Sequence, residues 1–230
     1  MINTFRFKAI SDFHKYCNLP KPEHPLISLV DYSNVDYPTD TKEIKWIQEF
    51  YSIGLKRNVN EKFNYGQQKY DFDEGVLSFI APNQVLQIQI NQNIEVNASG
   101  WLLLVHTDFL WNTKLGKSIK KYAFFGYAVN EALFLSEKEE LNLEQLLKSI
   151  QQEYQSNIDK FSESIIISQI ELFLNFAQRY YERQFITRKI NNHQILAKLE
   201  ELLNLYFDDN GILDNGIPTV TQIANDLNLS

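Results

Sequence analysis

A change of hydrophobic period at Ser136 constrains this chain more than any other feature of its sequence. Before it, apolar residues alternate or gather in short runs: Leu26–Val30, Phe50–Leu55, Val76–Ile80, Leu86–Ile90 and Gly100–His106. Runs of this kind suit a pleated surface, where successive side chains face opposite ways. In Leu86-Gln87-Ile88-Gln89-Ile90 the alternation is clean, so the isoleucines turn inward while the glutamines meet water. Asp73-Glu74-Gly75 marks a hairpin loop ahead of Val76. Short strands at this spacing, without helix-length patterns between most of them, predict an antiparallel barrel or sandwich over about 25–133.

After Ser136 the spacing is helical. Ser136 with Glu139 forms a capping-box signature, and Leu143, Leu146, Leu147, Ile150 and Tyr154 follow on one face. A second helix is predicted over 162–182, with Ile166, Ile170, Phe173, Leu174, Ala177 and Tyr181 as a broad apolar stripe. Arg179, Arg183, Arg188 and Lys189 gather at its end, where cations suit the negative pole of a helix. A third helix over 192–207 carries Ile195, Leu199, Leu202, Leu203 and Tyr206, and an Asp208–Pro218 loop follows. In the last stretch, GIPTVTQIANDLNLS at 216–230, Thr219 caps a short helix whose Ile223, Ala224 and Leu227 share a face. Asn228 suits a turn and Leu229 can tuck back, the pattern of the first helix and turn of a helix-turn-helix. The predicted class is α+β, with regions 1–133, 134–190 and 191–230.

Composition narrows the functional classes. With 230 residues, 44% of them hydrophobic, the chain can bury a sizeable core. A single cysteine, Cys17, leaves no intramolecular disulfide and fits a reducing compartment. No apolar run is long enough to cross a bilayer, and the start MINTFRFKAISDFHKYCN lacks a secretory core, so the expected location is the cytoplasm. The net charge of −7 argues against a polyanion-binding surface spread over the chain. Within 191–230 the only cation from Lys or Arg is Lys198, against Glu200, Glu201, Asp208, Asp209, Asp214 and Asp226.

Three blocks together resemble a known family. ALFLSEKEE at 132–140, EYQSNIDKFSESIIISQIELFLNFAQRYYERQFITRK at 153–189 and GIPTVTQIANDLNLS at 216–230 are similar to AraC/XylS-type bacterial transcriptional regulators. YDFDEGVLSFIAPNQV at 70–85 and GWLLLVHTDFL at 100–110 resemble their sensor domain. The resemblance implies a cupin-like sensor barrel over 1–133, a helical linker and dimerisation region over 134–190, and the opening of a helix-turn-helix DNA-binding domain over 191–230. It further implies a homodimer, a small-molecule effector in the barrel, and contact with DNA only through recognition helices expected after Ser230. The expected end is therefore a truncated helix-turn-helix, its packing residues being Ile223, Ala224, Leu227 and Leu229.

The barrel shows little sign of catalysis. Metal-binding cupins hold their ion with two histidines at i and i+2 on one strand, plus a further histidine and a carboxylate. Here His14, His24, His106 and His193 are scattered, so the expectation is no metal, no cofactor and no enzyme. Cys17 lies near His14 without the glycine pattern of a nucleophile elbow, and reads as a buried thiol. His106 reads first as an imidazole hydrogen-bonded to backbone. A ligand pocket, if lined by strand residues, draws on Tyr51, Tyr65, Phe79 and Trp101, with Lys56 and His106 as polar contacts. Core packing explains the rings equally well. Lysines 114, 117, 120 and 121 suggest an anion site, although a solvated loop is the preferred reading. For the 162–182 stripe, packing against the barrel competes with an isologous dimer contact. Two rivals to the regulator remain: a cupin-fold isomerase or decarboxylase without the usual ligands, and a stand-alone dimerisation module.

Overall fold

Alternation decides which side chains meet in the first half of the chain, and the strand registers show how. The computed structural model describes residues 4–36, 43–57, 75–89, 99–125, 133–156, 159–208, 219, 221–223 and 227. Five strands form one antiparallel sheet: β2 (Ile27–Asp31), β4 (Phe50–Arg57), β5 (Val76–Ile80), β7 (Ser99–His106) and β8 (Leu133–Phe134), in the order β2-β7-β4-β5-β8. A second sheet has the order β1-β3-β6, from Thr4–Phe7, Glu43–Gln48 and Val85–Gln89. The sequence reading found β2, β4, β5, β6 and β7. It missed β1 and β3, whose mixed polar and apolar residues carry only a weak strand signal.

Among the described strands, no ladder joins the two sheets into a closed barrel. Nor is the pairing antiparallel throughout, because β1 runs parallel to β3, with Thr4 opposite Lys45 and Phe7 opposite Gln48. A parallel pair needs a long crossover. The chain between them supplies one, since it contains helix α1 (Ile10–Tyr16) and strand β2.

In the five-stranded sheet Tyr51 lies opposite Val105, Ile53 opposite Leu103 and Leu55 opposite Trp101. One face of this sheet therefore carries the odd-numbered residues of β4, and the other carries Phe50, Ser52, Gly54 and Lys56. The second face turns towards the three-stranded sheet. There Phe50, Leu102 and Leu104 join Phe7, Phe13 and Trp46 in one buried cluster that α1 closes with Ile10 and Cys17. Edge-to-face rings bind this cluster, with Phe13 6.2 Å from Trp46 and 6.4 Å from Phe50 between centroids.

Helix α3 (Glu137–Gln155) covers the first face. Its start follows the predicted box: Glu139 Oε2 accepts hydrogen bonds from the Ser136 backbone N–H and hydroxyl, each at 2.9 Å. Leu143, Leu147 and Ile150 are buried, and the Tyr154 hydroxyl accepts the Leu29 N–H at 3.1 Å. That bond satisfies a donor on β2, the edge of the sheet.

The two helices predicted at 162–182 and 192–207 are one, α4, running from Ser162 to Asp208. No glycine or proline interrupts those residues, so no residue there breaks the backbone ladder. Two compact units divide within it, Met1–Tyr180 and Tyr181–Ser230. In the first unit α4 pairs with α3, where Gln169 Nε2 donates to Ser149 Oγ at 2.8 Å and Asn142 Nδ2 to the Tyr180 hydroxyl at 3.1 Å. In the second, Gln222 Oε1 accepts from Thr219 N and Oγ1 at 2.8 and 2.9 Å, while Ile223 N donates to Thr219 O. Thr219 is thus the cap of a short helical turn, as its position predicts. Among the described residues no helix is long and apolar enough to cross a membrane.

Candidate functional site

Where β7 ends, the chain makes a chain of tight turns that leaves a pocket against the sheet. His106 starts them: its Nδ1 accepts the Asp108 N–H at 3.2 Å, and its Nε2–H donates to the Lys8 carbonyl at 3.2 Å. Both ring nitrogens are engaged with backbone, as the simpler sequence reading had it. A 3₁₀ turn over Thr107–Leu110 follows, then Asn112 in the left-handed region with φ 60°, then the short helix α2 (Lys114–Ser118). Thr113 caps α2, its Oγ1 accepting from Gly116 N at 3.0 Å and donating to Leu110 O at 2.8 Å. At Gly116 a Cβ would stand 2.1 Å from the Leu110 carbonyl oxygen, so only glycine lets α2 approach this closely.

Between these turns and the sheet lies a pocket of about 390 Å³. Tyr51, Leu110 and Ile119 contribute buried walls. Trp111, 78% exposed, lines it as well, and Lys117 and Lys120 bring two ammonium groups. Burial raises the Tyr51 phenol above its ordinary value, so it stays neutral and able to donate. Among the described residues no carboxylate, imidazole or thiol lines the space. The described lining is thus apolar with a positive margin.

The sequence-predicted contacts separate by face. Tyr51 and Phe79 come together through Phe125, with ring centroids 5.0 and 5.5 Å from it, and Phe79 packs on Phe124 at 4.0 Å. Trp101 lies on the same face, where its indole N–H donates to Glu144 Oε1 at 3.3 Å. Lys56 and His106 are on the other face. Lys56 Nζ donates to the Tyr32 hydroxyl at 2.7 Å and sits 4.3 Å from that ring's centroid. These five side chains do not line one cavity, because a strand sends even and odd residues to opposite faces. Tyr65 lies outside the described residues. Of the four lysines, Lys117 and Lys120 line the pocket while Lys114 and Lys121 do not.

The stripe expected to dimerise is core. Ile166, Ile170, Phe173, Leu174, Ala177 and Tyr181 are all buried without a second copy of the chain, so these side chains are not a free contact face. On the opposite side of α4 and at its start, Phe161, Ile165 and Leu172 are 55, 40 and 45% exposed. Their i, i+4, i+11 spacing puts them in one outward row. Ile223 and Leu227 are half-buried, and Leu227 N donates to Ile223 O at 3.0 Å; Ala224 and Leu229 lie outside the described residues.

One polar group escaped the sequence reading. Arg57, at the end of β4, bonds through Nε to Glu140 and through Nη2 to Glu144, and both carboxylates are buried against the sheet. Burial works to lower the Arg57 pKa, but the hydrogen bonds and charges of Glu144 and Glu140 outweigh it and raise the net value. The signal was present: Glu140 and Glu144 fall at helical spacing with Leu143 and Leu147, on the face that packs. The buried His14 has both ring nitrogens engaged. His14 Nδ1–H donates to the Pro20 carbonyl at 2.5 Å, which leaves Nε2 to accept from the Ser28 hydroxyl at 3.0 Å. Among the described residues no three His, Cys, Asp or Glu side chains converge as a metal site requires.

No protein-family model matches the chain. No curated protein matches it in sequence either.

Proposed function

We propose that this chain is the sensor and dimerisation part of a cytoplasmic DNA-binding transcription regulator of AraC/XylS type, and not an enzyme. The observation that carries the reading is the block EYQSNIDKFSESIIISQIELFLNFAQRYYERQFITRK at 153–189, joined to GIPTVTQIANDLNLS at 216–230. Two structural features support it. Thr219 and Gln222 form the reciprocal cap that opens a helix in the second stretch. The two sheets share one buried cluster, which is compatible with a cupin-like sensor.

The mechanism is a two-state one. An effector that binds one arrangement of the sheet and its covering helices more tightly shifts the population towards it, by no more than its difference in affinity for the two. The second copy in a homodimer meets the outward row of α4, since the inward row is already buried. Sedimentation equilibrium should find a dimer, and Ile165→Asp with Leu172→Asp should give a folded monomer. Raising the level of the chain in its host should alter transcripts of a small set of operons, and the monomeric variant should not. A folded, monomeric parent chain that alters no transcript would overturn the reading.

A further inference from the structure

We infer that the pocket beside α2 is the effector site and that its ligand is a two-ring aromatic carboxylate; this rests on the sensor reading above. Trp111 stands at the mouth of the turns that follow β7. Its indole stands 78% exposed, and it lines the same pocket as the buried Tyr51, Leu110 and Ile119, so apolar surface is gathered there in one concave place and not scattered singly. The exposure is built in: the left-handed Asn112 and the Thr113 cap set the turn that holds Trp111 where it is.

Size and charge then choose the ligand. A space of about 390 Å³ is at the small end of ligand pockets, suited to a compact body of one or two rings. Tyr51 and Trp111 give it aromatic surface, Leu110 and Ile119 aliphatic surface. Lys117 and Lys120, three residues apart, put two cations at the same pocket, and neither has an ion-pair partner among the described residues. Among the described lining residues none is acidic, so a cationic ligand finds no counter-charge there and an anion finds two. The lysine ammonium groups are exposed, so each adds only modestly, and ring burial supplies most of the affinity. A monoanion on a flat apolar body meets both demands. Catalysis is not implied, because the ligand meets no nucleophile or general base.

The test uses 1-naphthoate as probe on the purified chain, read by the indole N–H signals of its three tryptophans. Titration should shift the Trp111 signal saturably, assigned by its loss in Trp111→Phe, while buried Trp46 stays in place. Lys117→Gln with Lys120→Gln should weaken binding about tenfold, and Lys114→Gln with Lys121→Gln should leave it unchanged. All four side chains are exposed, so folding is not at risk. Uncharged 1-naphthamide should bind as weakly as naphthoate does to the first double variant. No shift of Trp111, equal binding of the amide, or equal loss in both double variants overturns the inference. Binding as expected, without any change in dimerisation or transcripts, keeps the ligand site and overturns the sensor reading. Dimerisation and transcripts that behave as proposed, with naphthoate not bound, do the reverse.

Discussion

Two residues, His14 and Cys17, show how burial in α1 and just beyond it sets side-chain chemistry. Both lie against the core, 6% and 0% exposed. The Cys17 thiol is pushed up to about 12, first by burial and then by the charge of Asp36, so it is neither nucleophile nor metal ligand at neutral pH. His14 is held below its ordinary value by burial, which outweighs its bond to the Pro20 carbonyl. The signs differ. A lowered His14 adds stability that is present above 6.5 and lost as the pH falls through its folded value. A raised Cys17 adds stability that is present below 9.0 and lost as the pH rises towards about 12. Urea titrations should therefore show a plateau between those limits, and a thiol reagent should label Cys17 only after unfolding. Rapid labelling of the native chain at pH 8 would contradict the buried thiol.

At the scale of elements, α3 is attached to the sheet by packing and by one polar clasp. Leu143, Leu147 and Ile150 supply the apolar contact, while Arg57 spans Glu140 and Glu144. Arg57 is a third exposed and the glutamates are not, so the pair's attraction is partly screened while the carboxylates remain desolvated. Removing the arginine leaves two buried anions without their partner. Arg57→Met should cost about 2–3 kcal/mol in chemical denaturation. Adding Glu140→Gln and Glu144→Gln should return most of that loss, because the uncompensated charge is then gone. If the single and triple variants are equally unstable, the clasp acts through shape and not charge. On α4 the apolar stripe left two readings open in the sequence, because a broad apolar face looks alike whether it meets a sheet or a second chain, and only burial distinguishes them.

For the whole molecule, charge limits what it can bind. With a net charge of −7 and an acidic 191–230 segment, phosphate contacts have little support outside the cluster of Arg179, Arg183, Arg188 and Lys189. The purified 230-residue chain should give no saturable, sequence-dependent gel shift with duplex DNA even at low salt. Saturable binding to one sequence over others would show that the residues present read bases. The expected cations cannot simply be summed into a binding face, since four charges on α4 are few against the release of counterions that tight binding needs.

The sequence alone determined where most of the strands and the start of α3 lie. Period two before Ser136 and helical spacing after it located β2, β4, β5, β6, β7 and α3, and Ser136 with Glu139 located the start of α3. These are local properties, set by neighbours a few residues apart. Only the tertiary structure decided what met what. Strand alternation is visible in sequence, but whether Lys56 or Trp101 faces a helix or a second sheet depends on pairings with β7, distant in the chain. The parallel pairing of β1 with β3 likewise follows from a crossover, not from either strand's residues. The pocket was the least legible feature. Trp111, Lys117 and Lys120 sit in a stretch without strong period, and they share a cavity with Tyr51 only because Gly116 and Asn112 turn the chain back onto the sheet. Periodicity records which way a side chain points within its own element; a site is made where several elements converge, and that needs the fold.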